Sequence, residues 1–180
     1  MPRTRFSRRR MPPFARLSTR HSAVLWPCVK LGPRIGAGAG PRGDAVAELQ
    51  SAVTDTHPLI FHAAGGGRLG PHAAAFFERC EHQEAILYVP AVVIWESSLL
   101  ARVGRIDLRR SVRDFFGDLF SNPAYQPLDL TPDQIFLADE LRFTRDPFDA
   151  LIVAAAHTVG LPLVTRDNQL RESGSVRAIW

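Results

Sequence analysis

Short apolar segments alternate with stretches of helical periodicity along residues 50–180, and no other feature of the sequence constrains the fold as strongly. Apolar residues of strand-forming type predict strands at residues 52–54, 85–89, 161–165 and 176–180. A fifth segment, residues 125–128, suits the edge of a sheet because it contains Pro127. Helices are predicted at residues 59–64, 72–80, 91–103, 112–120 and 132–141 and from Pro147 onwards, with a turn at residues 56–58.

Strands that are joined through helices pair in parallel, and helices then cover both faces of the sheet. The alternation therefore predicts an α/β fold with a mainly parallel central sheet of four to five short strands. Ligands of such sheets bind outside the carboxyl ends of the strands. Residues that directly follow a strand are for this reason the first candidates for a functional site.

Charge divides the chain into two parts. Residues 1–43 contain ten Arg or Lys residues and no acid, which leaves 12 basic against 18 acidic residues in the remainder. We expect residues 1–47 to be a basic, largely disordered extension and residues 48–180 to form the folded domain. A transit peptide, a nucleic-acid-binding arm and a start codon assigned too early would each explain the extension, and the last is preferred.

Two classes of protein are excluded by composition. No apolar run reaches the 18 residues of a transmembrane helix, so no membrane association is expected. Cys28 and Cys80 are too few for a disulfide framework and lie in no zinc-binding pattern. A reducing compartment, and hence a cytoplasmic location, is the corresponding expectation.

Aspartates follow two of the predicted strands directly. Asp55 comes after the first strand, and Asp167 comes shortly after the strand at 161–165. Because the carboxyl ends of parallel strands lie at one edge, the two side chains can converge there. Each is also a suitable N-cap for the helix that follows it, and the position alone does not separate the two interpretations.

A third aspartate lies at the start of the helix from Pro147. Asp146 suits the N-cap and Pro147 the first helical position, which are ordinary features of a helix start. Asp149 also suits the first turn, but it stands at the head of the buried apolar row of Ile152, Ala155, Ala156 and Val159. Asp149 is therefore the acid of this segment with the stronger claim to a function.

Glu96 occupies the core-facing row of the helix at residues 91–103. The other members of that row are apolar, namely Val92, Val93, Leu99, Leu100 and Val103. A buried carboxylate without a partner costs several kcal/mol, so Glu96 requires an arginine, hydrogen-bond donors or a cation. A salt bridge to an arginine and a metal site are both open at this point.

Four carboxylates that converge at one edge repel one another, and oxygen-preferring divalent cations relieve this repulsion. Mg²⁺ or Mn²⁺ at such a site would lower the pKa of a bound water. The cation would also stabilise the attacking and leaving oxygens of a phosphodiester displacement. Asp55, Glu96, Asp149 and Asp167 are thus candidate metal ligands for a phosphodiesterase.

The sequence from about residue 50 onwards resembles the PIN-domain ribonucleases and, among them, the VapC-type toxins of toxin-antitoxin pairs. The motifs that carry this resemblance appear in the family's order. They are Thr54-Asp55-Thr56-His57, Val89 to Glu96 with Gly104-Arg105-Ile106, Arg145 to Ile152, and Gly160 to Asp167. The resemblance implies a PIN-like three-layer sandwich.

The resemblance also implies an activity. It implies a Mg²⁺- or Mn²⁺-dependent endoribonuclease that cuts RNA. A cognate antitoxin is expected to hold the enzyme inactive, and the chain is expected to form a homodimer. The family's catalytic and metal-binding acids correspond to Asp55, Glu96, Asp149 and Asp167. Auxiliary roles fall to Asp146, as a cap or supporting residue, and to Thr165, which is expected to orient a ligand or water. Arg145 and Arg166 are the candidate phosphate contacts.

Other functions have less support from the residues. A phosphatase with an aspartyl nucleophile needs a second acid two positions after Asp55, where the chain has His57. A phosphoacceptor receiver domain needs a lysine, and Lys30 in the extension is the only lysine. A PIN-like module that binds an antitoxin or RNA without cleaving it also stays open, although the presence of all four acids speaks against it. The acidic domain departs from the charge expected of a nuclease, because phosphate neutralisation normally supplies much of the affinity for RNA.

Overall fold

The computed structural model describes residues 50–180, so the expectation of disorder for residues 1–47 lies outside the described part of the chain. Five strands and seven helices form in the described residues. In chain order they are β1 (Gln50–Thr54), α1 (Thr56–Ala63), α2 (Pro71–Glu81), β2 (Ala85–Pro90), α3 (Ala91–Arg102), α4 (Val112–Leu119), β3 (Tyr125–Leu128), α5 (Pro132–Glu140), α6 (Pro147–Val159), β4 (Leu163–Val164), α7 (Asn168–Glu172) and β5 (Ala178–Ile179).

The five strands form one parallel sheet in the order β3-β2-β1-β4-β5. β1 lies at the centre, where Val53 pairs with Tyr88 of β2 on one side and with Leu163 of β4 on the other. β3, which contains Pro127, is an edge strand as predicted. The predicted α/β fold, with a parallel sheet flanked by helices, is confirmed.

The core is formed by the central strands and the helices that cover them. The side chains of Val53, Leu87 and Leu163 are fully buried, and α6 contributes Ile152 and Ala156. Burying a side chain of Val or Leu size stabilises a fold by about 1.5–3 kcal/mol. α6 packs against α3, α5 and β1, so the sheet centre and two further helices fix the position of Asp149 at its start.

One helix boundary and the burial of two valines differ from the sequence-based expectations. The predicted turn at residues 56–58 is instead the first turn of α1. Pro58 is tolerated there because the first N–H groups of a helix have no partner inside the helix, so the missing N–H of a proline costs no hydrogen bond. Val103 and Val159, predicted in buried rows, are 65% and 38% exposed, because Val103 directly follows α3 and Val159 is the last residue of α6. None of the helices in the described segment is long and apolar enough to cross a membrane.

Candidate active site

Asp55 lies in the connection between β1 and α1, at the carboxyl end of the central strand. Its side chain is 5% exposed, and both of its oxygens accept hydrogen bonds. Oδ1 accepts the backbone N–H of Thr56 at 2.5 Å, which makes Asp55 the N-cap of α1. Oδ2 accepts the hydroxyl of Thr165 at 2.8 Å, from the end of the neighbouring strand β4.

Glu96 projects from the second turn of α3 toward the same position. Its Oε2 accepts a hydrogen bond from the hydroxyl of Thr56 at 2.5 Å. Thr56 therefore holds Asp55 with its backbone N–H and Glu96 with its side chain. Among the described residues no arginine forms an ion pair with Glu96, so the salt bridge considered for this carboxylate is absent there.

Asp149 lies in the first turn of α6, which begins at the N-cap Asp146 and Pro147 as predicted. Oδ1 of Asp146 accepts the N–H of Phe148 at 2.8 Å. The Asp149 side chain makes a different contact, because its Oδ2 accepts the hydroxyl of Thr144 at 3.2 Å. The half-buried Asp149 is thus held from the loop that precedes α6.

Asp167 is exposed and caps α7. Its Oδ1 accepts the N–H groups of Gln169 at 2.7 Å and Leu170 at 3.2 Å. The hydroxyl oxygen of Thr165 accepts the N–H of Asp167 at 3.1 Å while its hydrogen is donated to Asp55. Thr165 therefore links the two aspartates that follow β1 and β4. The capping interpretation and the convergence of these aspartates at one edge both hold.

The remaining predicted site residues lie at the surface. Arg145 and Arg166 are exposed, and each stands next to one of the acids in the sequence. The guanidinium carbon of Arg166 lies 5.4 Å from the centroid of the Phe61 ring. Neither arginine forms an ion pair with another described residue.

Burial and mutual repulsion raise the pKa values of three of the acids. Burial raises the pKa of Asp149 to about 7, with further increases from the charges of Asp146, Asp55 and Asp167. Burial also raises the pKa of Asp55, and the charge of Asp167 adds to this. The pKa of Glu96 is raised by burial first and then by Asp55. Asp55 is thus close enough to Asp149 and Glu96 to disfavour their ionisation, and Asp167 acts in the same way on Asp55 and Asp149.

The set of donors suits a hard divalent cation, since every candidate ligand is a carboxylate oxygen. One oxygen each of Glu96, Asp149 and Asp167 accepts no hydrogen bond from another described residue. Within residues 50–180, however, no three acidic, histidine or cysteine side chains already stand in a metal-binding arrangement. The residues fit an oxygen-ligated cation in chemistry and charge, and their side chains would have to turn to surround it.

Two residues that position the acids were missed in the sequence. Thr56 stands in a motif that assigns it no role of its own, although its place directly after Asp55 puts its hydroxyl at the carboxyl edge of the sheet. Thr144 lies in an irregular loop, and no periodicity or capping pattern indicates its contact with Asp149. The four predicted acids themselves all lie at the same edge of the sheet, joined by contacts or by mutual repulsion.

Comparisons with known proteins give one match to a family. The model of the family described as PIN domain matches residues 52–174. No curated protein matches the sequence.

The fold is similar to those of several solved structures. Similarity to the crystal structure of VapBC2 from Rickettsia felis, bound to a DNA fragment from their promoter, has a TM-score of 0.53 at 14% identity, over 72% of this chain and 97% of the other. Similarity to a toxin-antitoxin complex from Klebsiella pneumoniae has a TM-score of 0.48 at 19% identity, over 69% of this chain and 94% of the other. Similarity to the crystal structure of PAE2754 from Pyrobaculum aerophilum has a TM-score of 0.47 at 23% identity, over 72% of this chain and 83% of the other.

Proposed function

Because the chain belongs to the PIN domain family, we propose that it is a metal-dependent endoribonuclease and the toxin of a toxin-antitoxin pair. PIN domains are generally nucleases. One observation supports the endoribonuclease: four carboxylates meet at the carboxyl edge of the sheet, where burial and then neighbouring negative charges raise the pKa values of Asp55, Glu96 and Asp149. Such an arrangement opposes stability, and a cation that neutralises the acids gives it a function.

Asp55, Glu96, Asp149 and Asp167 would hold Mg²⁺ or Mn²⁺. When bound, such a cation would supply an activated water and stabilise the charge that develops on the phosphate oxygens. The all-oxygen donor set supports this assignment, because sulfur and imidazole ligands for softer metals are missing from the set. The raised pKa values support it as well, since a positive charge would favour the ionised form of each acid.

The surrounding residues position these acids. Thr56 and Thr165 restrict Asp55 from two sides, and Thr56 also fixes Glu96. Thr144 restricts Asp149 from the preceding loop. Asp146 caps α6 and adds negative charge near Asp149 and Glu96. Arg145 and Arg166 are exposed beside this site and suit contacts to the phosphates of RNA.

An antitoxin is the proposed protein partner. The motifs that resemble VapC-type toxins support this, and an apolar groove beside the acids adds a surface for a protein chain. The groove has a volume of about 290 Å³, and the residues that line it are Ala91, Val92, Trp95, Leu130, Pro147, Phe148 and Leu151. Trp95, which precedes Glu96, is 53% exposed, whereas large aromatic side chains usually gain stability from burial. Homodimerisation is proposed on the resemblance alone.

The proposal is tested by incubating the purified chain and its Asp149→Asn variant with total RNA, with EDTA, Mg²⁺ or Mn²⁺. We expect cleavage by the parent chain only with a metal, and none by the variant. Asp139→Asn, which removes an exposed acid from α5, is the matched control and should cleave like the parent. Equal cleavage by Asp149→Asn, or cleavage in EDTA, would contradict the assignment. Absence of cleavage together with RNA binding would favour the silent binding module.

A further inference from the structure

Two arginines from distant parts of the chain lie over one aromatic ring. The guanidinium carbon of Arg68 lies 5.5 Å from the centroid of the Phe61 ring, and that of Arg166 lies 5.4 Å from the same centroid. Because both distances end at the centroid of the Phe61 ring, the separation of the two guanidinium carbons cannot exceed the sum of these distances. The two positive charges are therefore neighbours on this part of the surface. The ring itself is almost fully buried in α1, so it provides a fixed surface for both cations.

Both arginines are carried by segments whose backbone is held. Arg68 lies in the loop between α1 and α2, where the N–H of Gly66 donates to the carbonyl of Phe61 at 2.8 Å. Gly65 and Gly66 have positive φ values, which a glycine adopts without steric cost and which close this turn. Arg166 stands between Thr165 and Asp167, which are joined by a hydrogen bond.

Neither guanidinium group has an acidic partner among the described residues. Arg68 and Arg166 form no ion pair there and donate no hydrogen bond to a described residue. Both side chains are exposed. A guanidinium group that stacks on a ring keeps its N–H groups, which lie in its plane, available for an anion. Two unpaired positive charges near one ring in an otherwise acidic domain therefore form a local site for negative charge.

The position of this site relates it to the carboxylates. Phe61 follows Asp55 on the same helix, and Arg166 directly precedes Asp167. His57 also adjoins the ring, at 6.0 Å between ring centroids. A phosphodiester chain bound at the acids would carry further phosphates past the residues that adjoin them, and Arg166 is one of these residues. Planar guanidinium groups match the geometry of a phosphate, which they bind in bidentate fashion.

We propose that Arg68 and Arg166, which both lie over the Phe61 ring, bind the backbone of single-stranded RNA next to the phosphate that is cleaved. This proposal rests on the proposed function and extends it to the path of the substrate. An acidic segment of a protein partner is the other anion that could occupy the site. The exposed stacked pair favours RNA, because a strand that reaches the acids must carry further phosphates past this edge.

The test measures binding of a fluorescent oligouridylate without cleavage. The Asp149→Asn variant serves as the parent protein of this test, and all measurements are made in EDTA. Arg68→Gln, Arg166→Gln and Arg113→Gln are each introduced into this parent. Arg113 is an exposed arginine of α4 that stacks on no described ring, so its variant removes the same charge elsewhere. We expect Arg68→Gln and Arg166→Gln each to weaken binding about tenfold at low salt, and Arg113→Gln to have little effect.

Salt dependence gives a second readout. Each lost phosphate contact should reduce the slope of log K against log salt concentration by about 0.7. Unchanged melting temperatures would show that the variants are folded. Equal effects of Arg68→Gln and Arg113→Gln would overturn the proposal, and so would absence of oligouridylate binding by the parent. Weakened binding of polyglutamate with unchanged binding of oligouridylate would also overturn it and favour an acidic protein segment. Cleavage of RNA by the wild-type chain, measured separately, shows whether the proposed function itself stands.

Discussion

The hydroxyl of Thr56 donates a hydrogen bond of 2.5 Å to Oε2 of Glu96, across forty positions of sequence. The backbone N–H of Thr56 donates at the same time to Oδ1 of Asp55. A fully buried threonine thus joins two carboxylates that repel each other. The arrangement of these two acids depends on a residue that carries no charge itself.

Replacing Thr56 with valine should destabilise the fold and disturb Glu96. Valine has the same shape but no hydroxyl, so the carboxylate of Glu96 loses its donor, and its pKa, already raised by burial, should rise further. We expect a loss of about 1–3 kcal/mol in the free energy of unfolding, measured by urea denaturation in EDTA. Thr158→Val is the control, since its hydroxyl donates only to Ala154 of its own helix. Equal losses in both variants would contradict this role of Thr56.

The metal-free protein should become less stable relative to Asp149→Asn as pH rises. Because the pKa of Asp149 is raised from 3.8 to about 7, the folded state binds this proton more tightly than the unfolded chain does. The free energy of unfolding of the parent therefore falls, relative to that of the variant, between these two pH values and is level above them. Urea denaturation of both proteins in EDTA at a series of pH values measures this difference. A difference that does not change with pH would show that Asp149 does not titrate in this range.

Tyr125→Phe should destabilise the fold mainly above the ordinary pKa of a glutamate. The hydroxyl of Tyr125 donates to Oε1 of Glu81, and this bond is the largest cause that lowers the pKa of Glu81 from 4.5. A lowered carboxyl pKa contributes stability above the unfolded value, and this stability is lost as pH falls through the folded value. Because Glu81 is half exposed, we expect only about 1 kcal/mol at neutral pH, decreasing in acid. Tyr88→Phe is the control and should show no pH-dependent change.

Gly70→Ala should loosen the contact between the start of α2 and the residue Trp180. A Cβ atom at Gly70 would lie 2.7 Å from the backbone carbonyl carbon of Trp180 and 2.8 Å from Cδ1 of its ring. Relieving this overlap should cost about 1–3 kcal/mol of stability. Gly67→Ala, in the same loop, meets no atom within 4 Å and serves as the control. Equal melting temperatures of the two variants would show that Trp180 moves away freely.

Much of the fold follows from local sequence patterns. The alternation of apolar runs and helical periodicity predicts the strands and most of the helices, since each burial pattern has its own period. Pro127 marks β3 as an edge strand, and Asp146 with Pro147 marks the start of α6. The turn predicted at residues 56–58 is wrong, because proline is tolerated in the first turn of a helix as well as in a loop.

Contacts between distant residues are less accessible from a single sequence. Position relative to the strands predicts that Asp55 and Asp167 lie at one edge, but it does not predict that Thr56 bonds Glu96. The contact of Thr144 with Asp149 depends on an irregular loop, whose path has no repeating pattern. The positions of Arg68 and Arg166 over one ring depend on how the glycine-rich loop and the residues after β4 lie relative to α1, which no local pattern predicts.

The central place of β1 in the sheet affects the order in which the parts of the molecule can assemble during synthesis. β1 is translated first among the strands, yet one of its edges pairs with β4, whose residues Leu163–Val164 leave the ribosome more than a hundred positions later. Until then Asp55 lacks Thr165 as a donor, and Asp167 is not yet outside the ribosome. A nascent chain therefore remains without its complete set of acids until almost the whole domain has been translated.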